Sequence, residues 1–174
     1  MKRMAVFQVA ALAVLLAACG STSHSPSPGS SGGSASGVGL STDSVSGLGI
    51  VLANAQGRTL YTFAPDKAKK VTCTGSCATF WPPLKKPSGK LRAGGTAKTS
   101  LLGSDKNPSG GRVVTYSKWP LYTYSGDNGA GQANGQALKL EGGKWYVISA
   151  KGRVIKHSAS SGGGPSTGGG GGWG

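Results

Sequence analysis

One seven-residue segment occurs twice in this chain, and it limits the folds open to the chain more than any other feature. Leu60-Tyr61-Thr62-Phe63-Ala64-Pro65-Asp66 returns as Leu121-Tyr122-Thr123-Tyr124-Ser125-Gly126-Asp127, with Leu, Tyr, Thr and Asp kept in place and Phe exchanged for Tyr. Each copy follows a β-rich run and a turn: Gly49 to Ala55 then Gln56-Gly57, and Arg112 to Tyr116 then Ser117-Lys118. A third segment, Val147 to Arg153, echoes Val51 to Arg58 one residue shorter. Aliphatic and aromatic runs broken by short polar or Gly-containing turns are the pattern of β-hairpins. No long stretch has helical periodicity, and residues 82–111, rich in Gly, Pro and Ser, read mostly as loop. The expected fold is therefore mostly β. It is a small domain of paired antiparallel β-hairpin modules made by internal duplication, with disordered Gly/Ser-rich tails.

The chain ends cannot belong to that domain. Beyond residue 157, and between residues 20 and 47, the sequence is almost wholly Gly, Ser, Thr, Pro and Ala. Such stretches offer too little apolar surface to offset the entropy of ordering them. The expected folding unit is residues 48–157, with a Gly-rich tail over 158–174. The N-terminus reads as an export signal over residues 1–18: Met1-Lys2-Arg3-Met4 is a positive n-region, and Ala5 to Ala18 is an apolar run of 14 residues. That run is too short to span a bilayer comfortably. It closes as Leu16-Ala17-Ala18-Cys19, similar to the bacterial lipobox, in which the cysteine receives diacylglycerol and the chain is cut just before it. Cys19 is the expected lipidation site, and two acyl chains suffice for stable anchoring. Residues 19–47 then form a flexible tether with a mean reach of about 30 Å.

Charge sets the expected partners. Residues 48–157 carry 17 basic and four acidic side chains, a net of +13. Such a field favours polyanions, and it falls off beyond about 8 Å at physiological ionic strength. The expected partners are the membrane, through the N-terminal lipid, and anionic envelope polymers or phospholipid headgroups. The bases are scattered instead of clustered in a run, so no specific nucleic-acid site is expected.

With Cys19 committed to lipid, Cys73-Thr74-Gly75-Ser76-Cys77 remains, and an even pair in an exported domain reads as a disulfide. Redox or metal use stays open beside it. The spacing is one residue longer than that of a thioredoxin-like site, and the histidines, His24 and His157, lie outside or at the edge of the domain. No cofactor is expected.

Alternation along a strand puts Tyr61 and Phe63 on one face and Leu60 and Thr62 on the other, with Tyr122 and Tyr124 repeating the arrangement. These aromatics suit a core, a platform for sugar rings or a relay for electrons. Asp66 and Asp127 are expected to cap the turns that follow them by accepting N–H bonds from residues just beyond. A paired acid–base or metal role is the alternative. Trp81, Trp119 and Trp145 are candidate ligand-binding residues.

The two Tyr-x-aromatic-x-x-Asp motifs, Cys73-x-x-x-Cys77 followed by Trp81-Pro82-Pro83-Leu84, and Trp119-Pro120-Leu121-Tyr122 with Trp145-Tyr146-Val147 carry a family resemblance. The chain resembles the predicted secreted or lipid-anchored bacterial lipoproteins with a repeated Tyr-x-(Phe/Trp/Tyr)-x-x-Asp motif, over essentially the whole domain. The resemblance implies an extracytoplasmic β-rich repeat domain and brings no activity to transfer. The functional expectation is a lipid-tethered, non-enzymatic binding or structural module of the cell envelope. A small redox or metal-handling protein and a carbohydrate-binding module are the alternatives.

Overall fold

A computed structural model describes residues 38–66 and 70–159 of the chain. The export signal, Cys19, most of the tether and nearly all of the Gly-rich tail lie outside the described residues.

Among the described residues nine strands form, in chain order: β1 (Val38–Val45), β2 (Gly49–Ala53), β3 (Tyr61–Phe63), β4 (Arg92–Ala93), β5 (Leu102–Lys106), β6 (Arg112–Tyr116), β7 (Trp119–Pro120), β8 (Lys139–Leu140) and β9 (Gly143–Val147). One short helix, α1 (Ser76–Phe80), separates β3 from β4. The strands make three small sheets ordered β2-β1-β4, β3-β9-β8 and β5-β6-β7. Among the described residues no helix is long and apolar enough to cross a membrane.

Single bridges join the sheets. Val51 pairs with Ser149, Tyr61 with Tyr122, Pro83 with Tyr122, and Lys85 with Val113. Read across the hydrogen bonds, the order is β1, β2, the β9 strand, β3, the Leu121–Tyr122 segment, the Pro83–Lys85 segment, β6, β5. This order is a palindrome. β1 corresponds to β5, β2 to β6, β3 to Leu121–Tyr122, and the strand after Trp145 to the segment after Trp81. The bonds repeat across the centre: Leu52 N–H donates to Ile148 O (2.9 Å) and Val114 N–H to Leu84 O (2.8 Å). Likewise Leu60 N–H donates to Leu52 O (2.9 Å) and Leu121 N–H to Val114 O (3.0 Å). A pseudo-two-fold axis runs between Tyr61 and Tyr122, whose backbones exchange bonds of 2.8 and 3.0 Å.

The duplication is therefore exchanged. The last strand of the second copy lies between β2 and β3 of the first, and the last segment of the first lies between Tyr122 and β6 of the second. Neither copy completes its own sheet.

Alternation then builds two cores. Val51, Tyr61, Phe63, Val113, Tyr122 and Val147 face one cluster with Trp81 and Trp145. Leu52, Leu60, Val114, Leu121 and Ile148 face another with Leu40 and Tyr116. The three residues of β3 are all buried, Tyr61 and Phe63 in the first core and Thr62 on the opposite face. The expected separation of Leu60 from Tyr61 and Phe63 is present as membership of different cores. The echo between Val147–Arg153 and Val51–Arg58 is also structural. Asn54 N–H donates to Arg58 O (2.8 Å) and Ser149 N–H to Arg153 O (2.9 Å), so two like turns close.

Two boundaries differ from expectation. The tether was expected to run to residue 47, but β1 occupies Val38–Val45 and pairs with β2 through five register positions. Its Ser, Thr and Gly disguise it, yet Leu40 and Val45 are buried. Similarly, β4 and β5 lie in the stretch expected to be mostly loop. β5, Leu-Gly-Ser-Asp-Lys, is held by its five pairs with β6 and not by an apolar face, so it carries no alternation to read.

The exchange generates a prediction. A fragment ending at Lys98 holds β2 and β3 without β9, the strand between them. It should show no cooperative thermal transition by circular dichroism, and mixing with a fragment of residues 99–159 should restore one. A cooperative transition in the first fragment alone would contradict the exchanged arrangement.

Candidate functional site

The motif residues meet across the pseudo-two-fold axis. Tyr61 Oη donates to Asp127 Oδ2 at 2.7 Å, and Tyr122 Oη donates to Asp66 Oδ2. Each tyrosine thus serves the aspartate of the other copy. Both tyrosines are 0% exposed, Asp66 is 0% and Asp127 is 1%. The matching burial follows from the shared strand phase.

Each aspartate closes a turn with its own backbone, Asp66 N–H donating to Phe63 O (2.9 Å) and Asp127 N–H to Tyr124 O (3.2 Å). The second carboxylate oxygen then accepts from a residue further on. Asp66 Oδ1 accepts from Thr72 N–H (2.8 Å) and from the Thr72 hydroxyl, and Asp127 Oδ1 accepts from Asn134 N–H (2.9 Å). Both carboxylates accept backbone N–H bonds, but the described donors lie six and seven residues beyond, so they tie down a loop and differ from the expected cap by residues just beyond. Nothing in the sequence pattern marked the tyrosines as the remaining donors. The one available signal was that both motifs keep Tyr and Asp while their middle positions change. The carboxylates do not converge on a shared open pocket, because each is enclosed with the tyrosine of the other copy.

Burial is the main electrostatic fact here. It pushes both carboxyls above their ordinary 3.8, although hydrogen bonds from Thr72 and Tyr122 on Asp66, and from Tyr61 and Asn134 on Asp127, pull the other way. Burial also pushes both tyrosine hydroxyls above 10.0, and the partner carboxyls add to that rise.

Above the pairs lies a column of four rings. Phe63 stacks on Trp145 (4.2 Å between centroids), Trp145 on Trp81 (3.9 Å), and Trp81 on Tyr124 (4.2 Å). Tyr61 meets Trp81 edge-on at 5.4 Å, and Tyr122 meets Trp145 the same way at 5.2 Å. The column is symmetric about the same axis. Edge-to-face and offset contacts of this kind add stability beyond the area buried. Gly135 is required beside it, since a Cβ there would fall 2.7 Å from the Trp81 ring.

Trp81 and Trp145 are each 0% exposed, so neither offers a ring face to a sugar, and that candidate role is corrected for both. They are buried because the exchange brings each under the tyrosine of its neighbouring sheet. Trp119, which is partly buried against the second core, alone of the three lines an open cleft.

Cys73 and Cys77 are joined, with Cα atoms 5.3 Å apart. The bond sits at the start of α1 and both cysteines belong to the aromatic core. It fastens the loop that carries Thr72 to the helix that leads into Trp81. A loop this short contributes about 2 kcal/mol by chain entropy. Among the described residues no group of three or more His, Cys, Asp or Glu is placed to hold a metal ion.

With this geometry in hand, the comparisons with known proteins assign the chain. It matches the Lipoprotein_15 family, described as a secreted repeat of unknown function, over residues 45–85 and 103–149, just over half of its length. The chain belongs to that family of secreted repeat proteins. The two matched segments end at Lys85 and Ser149, the equivalent residues that bridge to Val113 and Val51. No curated protein and no solved structure gave a match.

Two predictions follow from the pairs. Tyr61→Phe and Tyr122→Phe each leave a buried carboxyl without one donor and should destabilise the domain by about 1–3 kcal/mol, equally within error, in urea unfolding. A strong inequality would show that the halves are not equivalent. The second concerns pH. All four groups bind their proton more tightly folded than unfolded, so stability declines as pH rises. The tyrosine contribution is complete below pH 10 and lost above it. The carboxyl contribution is complete below pH 3.8 and lost as pH climbs through the raised folded values. The urea midpoint should fall above pH 10, and fall less in the Tyr61→Phe/Tyr122→Phe double variant. An identical alkaline limb in that variant would rule the pairs out as its cause.

Proposed function

We propose that this secreted repeat protein is a lipid-tethered, non-enzymatic binding or structural module of the cell envelope. The observation that carries this reading is the fate of the motif that defines the repeats. Its tyrosines and aspartates, the groups best suited to acid–base work, are spent on each other in the core. A motif used this way builds a scaffold and leaves function to the surface.

The surface favours anions. Two of the four acidic residues in 48–157 are the buried Asp66 and Asp127, so the exterior is more one-signed than composition suggests. The lipid tether rests on Leu16-Ala17-Ala18-Cys19 closing an apolar run in a chain of a secreted family. Attached by two acyl chains, the basic domain would work close to anionic headgroups and wall polymers.

The test is detergent-phase partitioning of envelope fractions. The wild-type protein should enter the detergent phase and incorporate labelled fatty acid, whereas Cys19→Ala should do neither. Mass spectrometry that finds an unmodified thiol on Cys19 in the mature wild-type protein would reject the tether.

A further inference from the structure

The aromatic column occupies one face of the β3–β9 pair. The opposite face carries Thr62 of β3 with Lys144 and Tyr146 of β9, two residues apart and therefore on the same side. This face forms the floor of a cleft of about 400 Å³, walled by Trp119 of β7 on one side and by Val154 and Lys156 on the other. The volume falls in the ordinary range for small-ligand sites.

The residues that line the cleft have a consistent chemistry. Trp119 packs partly against the second core, which holds the indole in place, while it also borders the open space. Tyr146 is nearly buried, and its carbonyl accepts the Thr62 hydroxyl at 3.2 Å, so the floor is held by backbone pairing and this bond together. Lys144 and Lys156 are exposed at the cleft, and no acidic residue lines it. A rigid aromatic wall matches the C–H face of a pyranose ring, and two ammonium groups on the rim match a negative substituent of that ring.

We infer that the Trp119 cleft binds an acidic saccharide unit, a pyranose bearing a carboxylate or a phosphate, as part of an anionic envelope glycan. The inference rests on the proposed binding role of the module and gives it a site and a ligand class. A polyanion held by charge alone would need neither Trp119 nor Tyr146. A neutral sugar would leave Lys144 and Lys156 without a counterpart.

The experiment is a fluorescence titration of the full mature protein in detergent micelles at low salt. Oligogalacturonate and a phosphorylated mannan fragment are the acidic probes, xylo-oligosaccharide is the neutral one, and a single-stranded oligonucleotide is the control polyanion. At least one acidic glycan should bind, shift indole emission and weaken as salt rises, with the neutral glycan about tenfold weaker or worse. Trp119→Ala should remove the emission change and weaken binding by about tenfold. Because Trp119 also touches the core, a Lys144→Gln/Lys156→Gln double variant serves as the second probe. It should lose a similar factor for acidic glycans while keeping the wild-type unfolding midpoint.

Three outcomes would overturn the inference: no binding of either acidic glycan, binding unaffected by Trp119→Ala, or tighter binding of the oligonucleotide by both wild-type and Trp119→Ala protein. None bears on the Cys19 result, which reads partitioning and not glycan binding, so failure of the cleft and failure of the tether are separable.

Discussion

The structure depends on a two-way backbone bridge. Tyr61 and Tyr122 exchange N–H···O bonds at the centre of the palindrome, and this contact fixes the register of everything on either side. Once it is made, Tyr61 must point at Asp127 and Tyr122 at Asp66. The rings of Trp81 and Trp145 must then meet across the axis at 3.9 Å. A slip of one residue would turn both tyrosines into the aliphatic core and bring Leu60 and Leu121 under the indoles. Two buried carboxyls would also lose their hydroxyl donors. Register is therefore specified by polar satisfaction and by shape together.

That coupling explains the composition of the repeat. Position two must be tyrosine, because the ring packs edge-on against an indole while the hydroxyl reaches a carboxyl beyond it. Position four needs only a flat ring to end the column, so Phe63 and Tyr124 both serve. Positions five and six shape the turn, and Ala64-Pro65 and Ser125-Gly126 achieve it differently. The last position must accept hydrogen bonds from both directions, a tyrosine on one side and the following loop on the other, which aspartate does.

Much of the fold could be read from residues. Strands β2, β3 and β6 are apolar and β-branched or aromatic, and the duplicated heptad placed them in equivalent surroundings. The cysteine pair announced its bond. Three things were hidden, each for a physical reason. β1 and β5 are polar because they lie at or near the margins of the fold, where a ladder of backbone bonds holds them and periodicity is not needed. The exchange was hidden because two copies of one sequence look the same whether each closes on itself or on its neighbour. The tryptophans were ambiguous because an indole suits a core and a ligand platform equally. Only the exchange buries Trp81 and Trp145 and leaves Trp119 at an opening.

The exchanged strands also impose an order on how such a protein can mature. β9, residues 143–147, is threaded between β2 and β3, which lie about 90 residues earlier in the chain. A secreted chain crosses the membrane N-terminus first. The β1–β2 hairpin therefore emerges complete, but the place of β9 between β2 and β3 stays empty until almost the whole domain has passed. Closing so long a loop is slow, so this place is filled late. Duplication with exchanged ends thus makes completion of either half wait on the other, because each half's missing strand is the last segment of its partner.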